Sequence, residues 1–283
     1  EFGGEGDGWA TLNEPMATAL SGYLFPGSDR SAPPGLPMSD MLIPVIQNQI
    51  IGHAAMYDAV IANDVVDADG DGTPASVGLV LNMTAIETAD PTDKEAALAV
   101  EHCDYIYHRL FLDGITAGAW DLDFDGVPDE TREDLKGRLD WLGVNYYNRL
   151  EVSPLPSPLY PAVPISDFFP FVSWDPYPEG LTAVLVEAAE YGVPLYITEN
   201  GTPHVDGDEG VEILEGHLTA LAASIANGID VRGYYYWSFV DNYEWNHGMD
   251  MTFGLYELNL ETKERTARPV LERYREIVST GRL

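Results

Sequence analysis

The chain has 283 residues, of which 45% are hydrophobic, and its formal net charge is −33 from 14 basic and 47 acidic residues. A surface of this sign repels nucleic acid and anionic membranes, which argues against both as partners. The sequence contains no apolar run long enough for a membrane span, and its single cysteine, Cys103, excludes an internal disulfide.

The predicted elements alternate between two types along the chain. Near-continuous apolar runs predict strands over residues 8–13, 76–86, 138–147, 193–199 and 231–239. Apolar residues at helical spacing predict helices over residues 40–64, 92–115, 178–192, 210–228 and 268–281. Apolar strands that alternate with helices are typical of a parallel sheet covered by helices. Because no Ser/Gly-rich linker interrupts the pattern, we predict one domain over residues 1–283.

Two α/β folds compete for this pattern. A doubly wound sheet accommodates five strands, whereas a (β/α)8 TIM barrel needs eight. Polar or aromatic side chains stand at or just past the ends of the predicted strands, and they are Glu14, Asn145, Tyr147, Glu199 and Trp237. A barrel gathers such strand ends around one pocket, while an open sheet spreads them along an edge. These positions therefore favour the barrel.

Two glutamates share one sequence context. Glu14 in "TLNEP" and Glu199 in "YITENG" each end an apolar strand and stand just before a helix-breaking residue. Two carboxyl groups that face one pocket suit cleavage of a glycosidic bond, because one attacks the anomeric carbon and the other protonates the leaving oxygen. The alternative is that each glutamate forms a structural salt bridge. The repeated context favours the catalytic interpretation.

The segment "YYYWSFVDNYEWNHG" (234–248) is rich in aromatic residues. Sugar rings stack their C–H faces on aromatic side chains, and carboxylates bind their hydroxyl groups. Strands also favour aromatic residues, so about half of this set is expected to pack in the core. Trp237, Glu244 and Trp245 are the candidates for sugar contacts, since Glu244 lies in a polar loop between large aromatic residues.

These motifs occur together in one known family. The stretches "TLNEP", "GVNYY", "YITENG", "YWSFVDNYEW" and "FGLYELNLETKERTARPVLERY" resemble, in the same order, the motifs of family 1 glycoside hydrolases. That family contains retaining β-glucosidases and β-galactosidases, and the resemblance covers essentially the whole chain. It implies a (β/α)8 barrel that hydrolyses terminal β-linked glucose-type or galactose-type sugars without a required cofactor.

The resemblance also implies a role for each site residue. Glu14 matches the acid/base, Glu199 matches the nucleophile, and Tyr147 matches the tyrosine that hydrogen-bonds the nucleophile. The positions that match sugar-binding residues are Asn13 at the 2-hydroxyl, Asn145 in the same pocket, Trp237 under the glycone, Glu244 and Trp245 at the outer hydroxyls, and Trp174 on the leaving-group side. A carboxylate at Glu244 would repel phosphate, so unphosphorylated sugars are the expected substrates.

The chain departs from the family pattern at its start. The stretch "EFGGEGDGWATLNEP" resembles the end of the third helix and the fourth strand, so the five predicted strands correspond to strands four to eight. We therefore expect that this chain lacks the first three βα units of the barrel and is a fragment of a longer gene product. A non-catalytic, sugar-binding barrel fragment is the alternative function. An inverting hydrolase is a third interpretation, and it requires more widely separated carboxyl groups.

Acidic loops interrupt the helical regions. Asp121, Asp123 and Asp125 in "DLDFDGVPDE" (121–130) have the alternate spacing of a calcium loop, and Asp129 offers a further ligand. The bidentate glutamate expected at the twelfth position is replaced by Arg132. The alternative is a solvated acidic turn. A similar loop, "DADGDG" (67–72), is the weaker candidate for Ca²⁺.

Overall fold

The structure is a computed structural model that describes residues 5–24, 33–36, 38–152, 177–203 and 208–283. Its α-helices are α1 (Pro15–Ala19), α2 (Leu42–Asn63), α3 (Lys94–Asp104), α4 (Leu110–Ala117), α5 (Pro178–Ala189), α6 (Glu209–Ala226) and α7 (Pro269–Thr280). Its strands are β1 (Gly8–Asn13), β2 (Ser76–Asn82), β3 (Ala85–Glu87), β4 (Ala119–Trp120), β5 (Glu130–Thr131), β6 (Trp141–Tyr146), β7 (Arg149–Glu151), β8 (Leu195–Asn200), β9 (Val231–Tyr236), β10 (Tyr256–Leu258) and β11 (Arg265–Ala267). None of the helices described is long and apolar enough to cross a membrane.

The main sheet contains five strands in the order β1-β2-β6-β8-β9. Every neighbouring pair is parallel, and the spatial order follows the order of these strands along the chain. A doubly wound sheet reverses its strand order at a switch point, whereas a barrel does not. The topology therefore resolves the choice between the two folds in favour of an arc of barrel strands.

The strands are continuously apolar because helices cover them. In β2, the five residues between Ser76 and Asn82 are all buried, and Leu79 is 0% exposed. On the next strand, Leu142 and Val144 of β6 are also fully buried. They join one hydrophobic cluster that contains residues of the covering helices. A strand with this burial does not alternate, which is why the sequence pattern indicated a parallel sheet.

Two predicted elements are divided in the structure. The predicted strand 76–86 is wrong at its end, because β2 ends at Asn82 and β3 pairs instead with β7 in a separate two-stranded sheet. The predicted helix 92–115 contains a π-helical turn at Tyr105–Arg109, which separates α3 from α4. Periodicity alone does not detect such a turn, since the apolar face continues through it.

The outer strands of the described sheet are more exposed than the inner ones. β1 and β9 each pair with a single neighbour, and neither has a fully buried residue. The carboxyl ends of all five strands lie at the same edge of the sheet, because the pairing is parallel throughout.

The assignment of residues 1–283 to a single domain stays a prediction.

Candidate active site

Glu14 directly follows β1, and its backbone is left-handed, with φ 47° and ψ 56°. Few residues other than glycine adopt this conformation, and departures of this kind concentrate at functional sites. Pro15 then starts α1, and the Glu14 N–H donates to the carbonyl oxygen of Val80 at 3.0 Å. The sharp turn between strand and helix fixes the carboxyl group at the carboxyl edge of the sheet.

Asn145 of β6 is the polar centre of this edge and is 0% exposed. Its Nδ2 donates to Glu14 Oε1 at 2.8 Å and to Asn13 Oδ1 at 3.1 Å. Its Oδ1 accepts a hydrogen bond from the Thr198 hydroxyl at 2.6 Å, which leaves the amide hydrogens directed at the end of β1. In the strand register, Asn145 is also the partner of Glu199. Asn145 therefore stands between the two glutamates.

Tyr147, which follows β6, donates its hydroxyl hydrogen to Glu199 Oε2 at 2.5 Å. Burial, and then the negative charge of Glu14, raises the pKa of Glu199 to about 7, and the hydrogen bond from Tyr147 opposes this shift. Burial, followed by the charges of Glu199 and Glu14, holds the pKa of Tyr147 well above its usual value. Tyr147 therefore remains a hydrogen-bond donor at neutral pH, and both carboxyl groups act electrostatically on the same ring.

Two carboxyl groups that share a pocket do not readily ionise together, so they titrate as a pair. With the pKa of Glu199 at about 7, this pair holds a proton near neutral pH. The donation from Tyr147 stabilises the ionised form of Glu199 and so opposes the rise of its pKa. One protonated acid beside one carboxylate is the state that a double displacement requires.

The Trp237 backbone packs on the turn that follows the second glutamate. The Trp237 N–H donates to the Asn200 carbonyl oxygen at 2.9 Å. Asn200 is fixed in turn, because its Nδ2 donates to the Tyr146 carbonyl oxygen at 2.7 Å. A Cβ atom on Gly201 would overlap the carbonyl oxygen of Trp237. The glycine of "TENG" is therefore required by the close approach of this backbone.

The other predicted sugar-binding residues differ in how closely the structure ties them to the pair. The charge of Glu244 contributes to the raised pKa of Glu199 after burial and Glu14, so Glu244 belongs to the same pocket. Trp245 follows it with φ 46° and is 63% exposed. Trp174 lies outside the residues that the structure describes. The roles assigned to these side chains stay predictions.

Sequence patterns missed two residues of the site. Thr198 precedes Glu199 and holds the Asn145 amide through its hydroxyl. Phe253 packs edge-on against Tyr147, with ring centroids 6.1 Å apart and an interplanar angle of 72°. Phe253 begins the stretch "FGLYELNLETKERTARPVLERY" that carries the family resemblance, but no role was assigned to it from the sequence. A threonine that directly precedes a strand-end glutamate was the available signal for Thr198.

The acidic loop predicted to bind Ca²⁺ begins directly after β4, in the connection between α4 and β6. Carboxylate oxygens of Asp121, Asp123 and Asp129 lie within 4.8 Å of one another, whereas Asp125 is not part of this group. Asp121 is only 2% exposed and accepts hydrogen bonds from the Tyr105 hydroxyl at 2.8 Å and from three backbone amides of its own loop. These hydrogen bonds order the turn by themselves. Calcium binding at this loop stays a prediction.

The chain is similar along its length to curated glycosidases. It is 35% identical to a β-galactosidase of Pyrococcus woesei over 99% of this chain and 59% of that protein. It is 30% identical to a β-glucosidase of Agrobacterium over 93% of this chain and 60% of that protein, and 29% identical to a 6-phospho-β-glucosidase of Bacillus subtilis over 98% of this chain and 65% of that protein. The chain thus spans about three fifths of the length of these relatives.

Solved structures share the fold as well. The β-glycosidase from Pyrococcus horikoshii superposes with a TM-score of 0.80 at 34% identity, covering 95% of this chain and 60% of that one. A β-glucosidase from Thermotoga maritima in complex with glucoimidazole gives 0.81 at 26% identity, covering 100% of this chain and 66% of that one. The five strands are thus part of a (β/α)8 TIM barrel. Since the model for glycosyl hydrolase family 1 matches residues 1–282, the chain belongs to that family.

Proposed function

We propose that this chain carries the catalytic pair of a retaining β-glycosidase that removes terminal glucose-type or galactose-type residues from β-glycosides. One observation supports this most directly. Asn145 stands between the ends of β1 and β8, donates to Glu14 and is the register partner of Glu199, while Tyr147 donates to Glu199. Related proteins named β-galactosidase and β-glucosidase indicate the substrate class.

In the first step, ionised Glu199 attacks the anomeric carbon, and the bond from that carbon to the glycosidic oxygen breaks. Protonated Glu14 gives its proton to the leaving oxygen, so the leaving group departs as a neutral alcohol. Burial raises the pKa of Glu199 to about 7 in the substrate-free site, which increases the basicity of the attacking oxygen. The hydrogen bond from Tyr147 keeps a useful fraction of Glu199 ionised.

In the second step, a water molecule attacks the same carbon and the ester bond to Glu199 breaks. Glu14, now a carboxylate, accepts the proton of that water, and both glutamates return to their starting states. Two displacements at one carbon restore its original configuration. The hydrogen bond from Asn145 to Glu14 Oε1 stabilises the carboxylate form that Glu14 must adopt between the two steps.

The assay uses 4-nitrophenyl β-D-glucoside and β-D-galactoside with the chain and with its Glu199→Gln and Glu14→Gln variants. Because the chain covers 60% of the Pyrococcus horikoshii structure, a chimera that supplies the unmatched part of that relative is assayed in parallel. We expect hydrolysis with retention, a loss of about 10⁴-fold or more in Glu199→Gln, and recovery of Glu14→Gln by azide. Equal rates in the unchanged chimera and its Glu199→Gln form would contradict the assignment of the nucleophile.

Unphosphorylated sugars are the proposed substrates. Glu14, Glu199 and Glu244 place three acidic groups in one pocket, and all three raise the pKa of the half-buried Tyr147. A sugar 6-phosphate would add two negative charges near these groups, and like charges repel strongly in a buried site. We expect 4-nitrophenyl β-D-glucoside to be hydrolysed much faster than its 6-phosphate, with the difference mainly in KM. Faster hydrolysis of the phosphorylated substrate would contradict this proposal.

A further inference from the structure

A buried ion pair joins the aromatic segment 234–248 to the residue that precedes α7. Arg268, the residue before α7, donates from Nη1 to Asp241 Oδ1 and from Nη2 to Asp241 Oδ2, both at 2.9 Å. The side chains of Arg268 and Asp241 are only 7% and 4% exposed. Burying two charges costs free energy that their attraction only partly repays, so such a pair is a poor device for stability alone. Two parallel hydrogen bonds do, however, fix orientation strongly.

The pair also fixes the backbone of residues 254–255, which follow the aromatic segment 234–248. Asp241 Oδ1 accepts from the Gly254 N–H at 2.9 Å, and Arg268 Nη1 donates to the Gly254 carbonyl oxygen at 2.6 Å. The Arg268 N–H also donates to the Leu255 carbonyl oxygen at 3.0 Å. A Cβ atom on Gly254 would overlap the backbone nitrogen of Asp241, so only glycine allows this approach. Residues 241 and 254–255 therefore form one rigid unit around the guanidinium group.

That unit places a ring against the tyrosine of the active site. Phe253 immediately precedes Gly254, and its carbonyl oxygen accepts from the Ser238 N–H at 3.1 Å. The Phe253 ring meets the Tyr147 ring edge-on at a centroid distance of 6.1 Å. Tyr147 in turn donates to Glu199 at 2.5 Å. A continuous set of contacts thus leads from Arg268 to Glu199. None of the residues in between is close to β8 in the sequence.

We propose that Arg268 is a positioning residue for the nucleophile, which acts through Asp241, Phe253 and Tyr147 to hold the phenol on Glu199. This inference rests on the proposed function for the statement that Glu199 is the nucleophile. The contact between Arg268 and Glu199 is indirect, so its loss changes the electrostatic state of Glu199 rather than removing a reacting group.

Arg268→Lys tests this with the charge retained, because lysine does not form two parallel hydrogen bonds with a carboxylate. If the phenol of Tyr147 moves away, the ionised form of Glu199 loses a donor. We expect the acidic limb of the kcat/KM profile to move up by about one pH unit and activity at pH 6 to fall about 10-fold. Arg232→Lys is the matched control, since Arg232 of β9 makes an exposed ion pair with Asp230. We expect this control substitution to leave the pH profile unchanged.

A second readout does not need turnover. Titration of ¹³C-labelled glutamate carboxyl groups by NMR, with Glu199 assigned by its loss in Glu199→Gln, should show the same upward shift in Arg268→Lys. If that variant does not fold, Phe253→Leu keeps the ion pair and removes the ring contact, and it should reproduce the shift. An unmoved Glu199 titration in a folded Arg268→Lys or in Phe253→Leu would overturn the proposal. A chain that hydrolyses no glycoside but shows the shift would overturn only the proposed function.

Discussion

Tyr147 shows how one half-buried side chain influences the charge of the site. Its hydroxyl has a single hydrogen, which it gives to Glu199 Oε2 at 2.5 Å. Burial and the surrounding carboxylates hold the pKa of Tyr147 well above its usual value, so the phenol does not lose this hydrogen under neutral conditions. The bond favours the ionised carboxylate over the protonated one. Tyr147 therefore opposes the rise in the pKa of Glu199 that burial and the charge of Glu14 cause.

Tyr147→Phe removes this donor and leaves the ring in place. We expect the pKa of Glu199 to rise further, so that the acidic limb of kcat/KM moves to higher pH. A hydrogen bond to a charged group contributes about 1.5–3 kcal/mol, which corresponds to a loss of about 10-fold to 100-fold in kcat/KM at pH 6. The measurement is the full pH–rate profile. Tyr235→Phe on β9, where the side chain is 59% exposed, is the control, and a Tyr147→Phe profile identical to it would contradict the assignment.

Asn145→Asp reverses the hydrogen bonding at the centre of the site. The two amide hydrogens that reach Glu14 and Asn13 are replaced by an acceptor, and a further negative charge enters a fully buried position. Leaving buried groups unsatisfied costs about 1–3 kcal/mol each, and more for charges. We expect a lower melting temperature and a fall in kcat of at least about 100-fold. The exposed Asn63→Asp is the control for added charge, and equal effects in the two variants would contradict a central role for Asn145.

At the scale of elements, the packing of α5 and α6 contains a buried histidine. His217 of α6 is 1% exposed, and its ring meets Tyr146 edge-on at 5.6 Å. Neither ring nitrogen has a hydrogen-bond partner among the residues that the structure describes. Burial lowers the pKa of His217 from 6.5 to about 4, and the charge of Glu179 opposes this shift. The folded state therefore favours the neutral ring.

This lowered pKa predicts a loss of stability in acid. The unfolded chain takes up the proton below pH 6.5 and the folded chain only below about pH 4, so His217 contributes stability above pH 6.5 that is lost as the pH falls to 4. His217→Leu removes this dependence. We expect it to exceed the unchanged chain by about 3 kcal/mol at pH 4, relative to their difference at pH 7.5. Urea unfolding at both pH values measures it, and parallel stability curves would contradict the prediction.

The elements that the sequence predicts well are those with local causes. Every strand of the main sheet was expected within a few residues, because each is a continuous apolar run, and α5 begins at the expected Pro178. Glu14 and Glu199 were predicted as a pair on the same kind of local signal, since each ends such a run, and their catalytic roles stay predictions. Phe253 and Arg268 lie in a stretch that carries the family resemblance, but their roles were missed because their contacts with Tyr147 and Asp241 join distant parts of the chain. The division of β2 from β3 depends on β7, which is equally distant.

At the scale of the whole molecule, charge is the dominant feature. Acidic residues number 47 against 14 basic ones, so attractive pairs cannot balance the repulsion among carboxylates. One basic side chain can contact several carboxylates, as Arg109 does with Asp104, Glu187 and Glu190. The pocket adds Glu14, Glu199 and Glu244 to the same sign of charge. Self-repulsion of this kind destabilises a compact state and depends on ionic strength.

Salt should therefore stabilise the folded chain. Between about 0.1 M and about 1 M NaCl the Debye length falls from about 10 Å to about 3 Å, so repulsion between exposed carboxylates is largely screened. We expect the melting temperature to rise by several degrees across this range, and KCl to give the same rise as NaCl.

A variant with weaker repulsion separates screening from other effects of salt. Glu151→Gln, Glu257→Gln and Glu261→Gln each remove one exposed negative charge, and their combination should raise the melting temperature in low salt and reduce the response to added salt. Sucrose, which is uncharged, should stabilise the variant and the unchanged chain equally. A melting temperature that is flat or falls with NaCl, or a response that is the same in both proteins, would show that repulsion among carboxylates does not limit stability.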